Sequence, residues 1–216
     1  LWHDARESEN PAPPAADAIS EALQHCDLDD LLLDSGTLTV AFSDPAMTLD
    51  VGAAAKGYTA VQAGQAARER GLTHALLNMG GNVYTTGPKA DGSAWRVGVE
   101  KPWPGEDAPQ YVQTVELTGG DSLIVSGDYQ RYFTYEGKRY SHLIDLTTGC
   151  PAAYYSSVAV YSSPDEGLGD LFSTALFCLP PEQSRQVADD NGQAVLWLGT
   201  DGEVAGQTDN WPGKAV

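Results

Sequence analysis

Basic residues and cysteines are the scarce components of this chain. Twelve lysines and arginines stand against 30 aspartates and glutamates, a formal net charge of −18 over 216 residues. So acidic a surface repels nucleic-acid backbones and anionic lipid, which argues against a nucleic-acid binder. A nucleotide could still be held, through a metal ion or local backbone amides. The three cysteines, Cys26, Cys150 and Cys178, lie far apart without a C-x-x-C spacing. They indicate neither a zinc site nor a disulfide framework, and the redox compartment stays open. No apolar run approaches the ~20 residues that cross a bilayer, and no cleavable leader with a basic start is present. An initiator methionine is also missing: the chain opens Leu1-Trp2-His3 and enters a polar, proline-rich stretch at 10–14. The expectation is that a preceding segment, with any export signal or lipid anchor it carried, has been removed.

What is there can form a core. At 42% hydrophobic, the sequence predicts one globular domain over residues 1–216. Ala18, Ala22 and Cys26 at four-residue steps beside Ile19 and Leu23 predict an amphipathic helix over 17–26. Stretches 31–33 and 37–42 flank the Ser35-Gly36 turn as a hairpin. Residues 50–57 read as a glycine- and alanine-rich loop, followed by an alanine-rich helix over 58–70 with basic residues before Gly71. Strands are expected at 75–79, 82–86, 95–100, 111–117, 122–126, 132–135 and 157–161, with Glu136-Gly137 as a hairpin turn. Helices at 166–179 and 182–191, then strands at 194–198 and 203–204, complete the pattern. This order predicts an α+β fold, a mostly antiparallel sheet with flanking helices.

Four segments concentrate chemistry. In Asp50-Val51-Gly52-Ala53-Ala54-Ala55-Lys56-Gly57, small residues open a helix and offer amides to an anion, with one lysine close by. The spacing is not that of a Walker A loop, and a tight turn packing a helix on a sheet would use the same residues. Asn78-Met79-Gly80-Gly81-Asn82 ends a strand in paired glycines that admit a ligand close to the main chain; a bulge or hairpin would want them too. A third region runs from Ser126-Gly127-Asp128-Tyr129 through His142, Asp145 and Thr148 to Pro151. His142 suits a general base, although a locally hydrogen-bonded histidine is the alternative, and Asp145 can cap the turn that follows. Fourth, Asp170 and Thr174 stand four apart on a helix, so a carboxylate and a hydroxyl share one face. Hard oxygen ligands so arranged suit Mg²⁺. Equally, Asp170 could serve the helix dipole and Thr174 bond back to a carbonyl.

Taken in order, these segments resemble the ApbE-type family of FAD:protein FMN transferases. The resemblance rests on Ala55-Lys56-Gly57 after an acidic residue and small residues, Asn78-x-Gly80-Gly81, Ser126-Gly127-Asp128-Tyr129, His142-x-Ile144-Asp145-x-x-Thr148-Gly149-x-Pro151 and Asp170-x-x-x-Thr174-Ala175. It covers nearly the whole chain. It implies an ApbE-like, T-fold-like domain that transfers FMN from FAD to a threonine of a target flavoprotein subunit and releases AMP. Asp170, Thr174 and a backbone carbonyl near Ala53 would hold Mg²⁺, and His142 would be the base. Lys56 would add positive charge near the phosphates, Gly80 and Gly81 would let the flavin nucleotide approach, and Ser126 and Thr148 would bond flavin or phosphate. Two other readings share these residues: a metal-dependent FAD pyrophosphatase that yields FMN and AMP, and a non-catalytic FAD-binding lipoprotein. Family members usually work outside the cytoplasm, as lipoproteins or anchored by a terminal helix, so an extracytoplasmic location is implied.

Two departures stand out. Asn82 occupies a position where the family often has aspartate. The family also carries a longer segment ahead of the Leu-Trp position that contributes to the flavin pocket, so this chain is expected to be the larger, C-terminal part, with an FAD site open on one side.

Overall fold

The computed structural model describes residues 1–103 and 109–216. Its contacts divide the chain into two compact units, Leu1–Asp50 with Arg131–Pro151, and Val51–Gln130 with Ala152–Val216.

The larger unit is built on a six-stranded sheet in the order Val204–Gln207, Ala194–Leu198, Ser157–Ser162, Ser122–Gly127, Asn82–Thr85, Leu76–Met79. Every pairing in it is antiparallel. The central strands are buried on both faces, which is why Ala194–Leu198 reads as an unbroken apolar run rather than an alternating one. On one face Val83, Leu123, Ala159, Leu196 and Leu198 meet Val99, Val115 and Leu117 from the pair Trp95–Glu100 and Tyr111–Leu117. The other face carries the helices. Tyr84 packs on Ala60 and Val61 of the Gly52–Glu69 helix. The Gly169–Cys178 helix lies over the strands Ser157–Ser162 and Ser122–Gly127, with Leu176 and Phe177 fully buried. Among the described residues, no helix is long and apolar enough to cross a membrane.

The smaller unit consists of local hairpins and two short helices. Leu31–Asp34 pairs with Thr39–Phe42, and Tyr132–Tyr135 with Lys138–Ser141. The second hairpin turns at Glu136 and Gly137 with φ of 48° and 77°, the pair of positive angles a type I′ turn needs. The helix expected at 17–26 spans Ala16–Leu23. A further helix, Trp2–Glu7, was not anticipated; six residues are too few to display a period.

The antiparallel α+β architecture matches the expectation from sequence. One local reading needs correcting: residues 52–57 are not a loop but the first turns of the Gly52–Glu69 helix. Three consecutive alanines, the strongest helix formers, outweigh the flanking glycines.

Candidate functional site

Asp170 sits in the first turn of the Gly169–Cys178 helix with 2% of its surface exposed. A carboxylate so buried requires partners, and they come from the other helix. Lys56 Nζ lies 3.3 Å from both Asp170 oxygens, and the Gly57 amide donates to Oδ2 at 3.0 Å. Gly57 is also what lets the helices meet, because a Cβ there would stand 2.7 Å from the Asp170 Cβ.

Hydroxyls complete the cluster. Ser126 Oγ, near the end of its strand, is 2.8 Å from Ser173 Oγ and 3.1 Å from Thr174 Oγ1. Ser173, not Thr174, bonds back to the Asp170 carbonyl, at 3.0 Å, so the back-bonding that was the alternative role for Thr174 belongs to its neighbour. The Lys56 ammonium also donates to the Gly52 carbonyl at 3.1 Å. One cation therefore already lies among carboxylate and carbonyl oxygens.

Beside Lys56, the chain turns sharply between Met79 and Asn82. Gly80 and Gly81 have φ of 62° and 96°, values that L side chains rarely adopt, and the Lys56 stem passes 3.9 Å from where a Gly80 Cβ would be. On the opposite sheet face this turn borders a cavity of about 270 Å³, lined by Gly80, Gly81, Gly98, Glu100, Tyr111 and Tyr129 among others. Burial, then the negative charges of Glu100 and Asp128, push the Tyr129 hydroxyl up to about 12. Trp103 meets the Tyr129 ring edge-on at 6.4 Å.

In the smaller unit, His142 is half-buried and donates its backbone N–H to the Arg131 carbonyl at 3.1 Å. It lines a cavity of about 690 Å³ with Trp2, Arg131, Phe133 and Tyr140. Trp2 and Tyr140 stack at 5.7 Å, and the Trp2 indole donates to the Gly149 carbonyl at 2.7 Å. Asp145 caps the next turn as expected, accepting from the Thr147 amide at 2.8 Å. The Thr148 hydroxyl joins that turn, donating to the Asp145 carbonyl at 3.3 Å and accepting from the Cys150 amide at 3.2 Å.

Of the residues singled out from sequence, Ala53, Lys56, Gly80, Gly81, Ser126, Asp170 and Thr174 belong to the larger unit; His142 and Thr148 belong to the smaller. Within the larger unit, Lys56 bonds Asp170 and Ser126 bonds Thr174, and Ser173 links the two pairs through Ser126 and the Asp170 carbonyl. Sequence reasoning missed Ser173, although its place three residues after Asp170 puts it on the same helix face. It also missed Tyr111 as a cavity wall, which no local pattern marks, and gave Tyr129 no role although it lies in the Ser126–Tyr129 motif. Among the described residues, no group of three or more His, Cys, Asp or Glu could hold a metal. A cation here would rely on one carboxylate and neutral oxygens.

Comparison with known proteins bears on the whole arrangement. The solved ApbE protein of Thermotoga maritima superposes with a TM-score of 0.83 at 30% identity, covering 95% of this chain and 65% of that one. The apo flavinyl transferase ApbE of Pseudomonas stutzeri gives 0.79 at 29% identity, covering all of this chain and 67% of that one. An FAD:protein FMN transferase of Klebsiella pneumoniae is 36% identical over 171 residues, 79% of this chain and 51% of the relative. One from Treponema pallidum is 35% identical over 187 residues, with 80% and 51% covered. The chain thus spans about half the length of these curated relatives. The ApbE family model matches residues 1–197, and the chain belongs to the ApbE family.

Proposed function

We propose that this chain provides the nucleotide- and cation-binding part of an enzyme that transfers FMN from FAD to a threonine hydroxyl of a target flavoprotein subunit, releasing AMP. The observation that carries this reading is the Asp170 cluster: a buried carboxylate beside two hydroxyls and a helix start, already compensated by an ammonium group. Such a donor set fits Mg²⁺, which favours hard oxygens and needs only one or two protein groups when phosphates and water complete its shell. Asp170, Thr174 and the Ala53 carbonyl would hold the ion. When bound, it neutralises charge on the pyrophosphate as the bridging bond breaks.

The remaining work falls to the chain's own groups. Lys56 places positive charge next to the Gly80-Gly81 turn, where the absence of side chains admits a phosphate to the backbone. The cavity walled by Tyr111 and Tyr129 offers flat apolar faces to a ring system. His142 accepts the proton of the attacking threonine hydroxyl on an imidazole nitrogen. The threonine oxygen bonds to the FMN phosphorus and the oxygen bridging to AMP departs, so atoms and charge balance.

The relatives named FAD:protein FMN transferases support the reaction class. The test is mass spectrometry of an acceptor protein incubated with FAD, Mg²⁺ and the whole protein, beside Asp170→Ala and His142→Ala. A metal-dependent gain of one FMN, lost in both variants, is expected. Release of FMN and AMP without an adduct would replace the transferase by a pyrophosphatase, and intact FAD would leave only a binding protein.

A further inference from the structure

Asn82 is 1% exposed, and neither its amide nitrogen nor its amide oxygen has a hydrogen-bond partner. Leaving both halves of a carboxamide unpaired in a protein interior is costly, so a chain that keeps one there has a use for it.

Strand register shows which way it points. Met79, opposite Asn82, and Tyr84, two residues on, both pack toward Ala60 and Val61 on the Gly52–Glu69 helix. Alternation along the strand sends Asn82 to the same side. On its other flank, the pairing of Val83 with Leu123 and Tyr84 with Ser122 carries Asn82 opposite Ile124, two residues before Ser126. Ile124 in turn abuts Gly169, next to Asp170: a Cβ on that glycine would be 2.6 Å from the isoleucine Cδ1. The unpaired amide therefore faces the floor beneath the starts of both helices, next to the Lys56, Asp170 and Ser126 cluster and clear of the aromatic cavity on the opposite sheet face.

We infer that Asn82 is a positioning residue for the divalent cation, its carboxamide holding a water of the ion's coordination shell. A water on the ion directs its lone pair at the metal and donates an O–H to Oδ1, a partner this side chain lacks. A neutral amide also leaves Asp170 as the cluster's one carboxylate, paired with Lys56 until an ion enters. This inference rests on the cation-binding reading above.

The experiment is titration of the whole protein with Mn²⁺, read by the electron paramagnetic resonance of the free ion, without nucleotide. Metal-free thermal melts in chelator accompany it, for wild type, Asn82→Ala and Asn82→Asp. Wild type is expected to bind one Mn²⁺. Asn82→Ala should weaken binding by roughly 10-fold or more, as loss of groups that orient metal ligands does, with a metal-free Tm equal to or above wild type because an unpaired amide has gone. Asn82→Asp, which keeps the acceptor oxygen and adds charge, should match or exceed wild-type affinity. Unchanged binding by Asn82→Ala overturns the inference while leaving the cation site standing. So does a drop in its metal-free Tm or a failure to fold, either of which would mean a structural water or partner satisfies the amide. Wild type that binds no Mn²⁺ overturns both readings. Should Asn82→Asp not fold, wild type against Asn82→Ala decides alone.

Discussion

Lys56 holds its ammonium equidistant, at 3.3 Å, from the two oxygens of Asp170. In the proposed enzyme the ammonium and the divalent ion want the same carboxylate, so metal entry must loosen this ion pair and free Lys56 for phosphate. Lys56→Met should therefore bind Mn²⁺ a few-fold more tightly in the absence of nucleotide. Because Lys56 is 38% exposed, solvent screens the pair and keeps the gain to roughly 0.5–1 kcal/mol. The same variant should melt at lower temperature in chelator, with a larger rise when Mn²⁺ is added, since an ion that binds only the folded chain stabilises it. Unaltered Mn²⁺ affinity would show that the two cations do not compete.

Gly57→Ala tests the helix contact. A methyl group 2.7 Å from the Asp170 Cβ must push two buried backbones apart. Overpacking of this kind costs about 1–3 kcal/mol, measurable as a lower urea midpoint, and displacing Asp170 should weaken Mn²⁺ binding in parallel. A variant with wild-type stability would mean that the helices yield at no cost.

The sheet and its hairpins were readable because period-two alternation and turn residues such as Glu136-Gly137 are local signals. The start of the Gly52–Glu69 helix was not, since three alanines between glycines suit a loop or a helix, and the Gly57 contact with Asp170 that supports the helical turn spans 113 residues. The site was legible in part. Spacing put Asp170 and Thr174 on one face and marked Lys56, but only strand register brings Ser126 to Ser173, and no sequence pattern reveals that Asn82 is buried without partners.

In the smaller unit, His25 Nδ1 lies 2.6 Å from Asp44 Oδ2. The hydrogen bond to Asp44, with help from Glu21, raises the histidine's pKa, and the same bond lowers that of Asp44. The raised histidine contributes stability that is complete below its unfolded value, about 6.5, and is lost as pH climbs through the higher folded value. Asp44 contributes above its unfolded value, about 3.9, and loses that contribution as pH falls through its lower folded one. Wild type minus His25→Gln should thus show its largest stability difference between these limits, shrinking on both sides. Amide exchange in segment 21–46 across pH 3–9 is the measurement, and a difference flat with pH would contradict it.

Tyr129 should titrate late, since burial pushes its hydroxyl up to about 12. Absorbance at 295 nm is expected to show a late rise that is smaller in Tyr129→Phe. The unfolded chain releases this proton near pH 10, so the folded state loses stability as pH rises from there toward 12, and Tyr129→Phe should lessen that loss. Through the neutral range the group stays a phenol, able to donate a hydrogen bond at the cavity wall.

The Ser122–Gly127 strand acts as a partition one backbone thick. Ser126 looks toward the hydroxyls of the Gly169–Cys178 helix, whereas Val125 and Gly127 look into the aromatic cavity behind. Charged and flat parts of a single extended molecule can therefore be handled on the two sides of one strand. Parity alone keeps the compartments distinct. Insertion of one residue in this strand would turn every side chain to the wrong room, exchanging the polar lining for the apolar one and spoiling both at once.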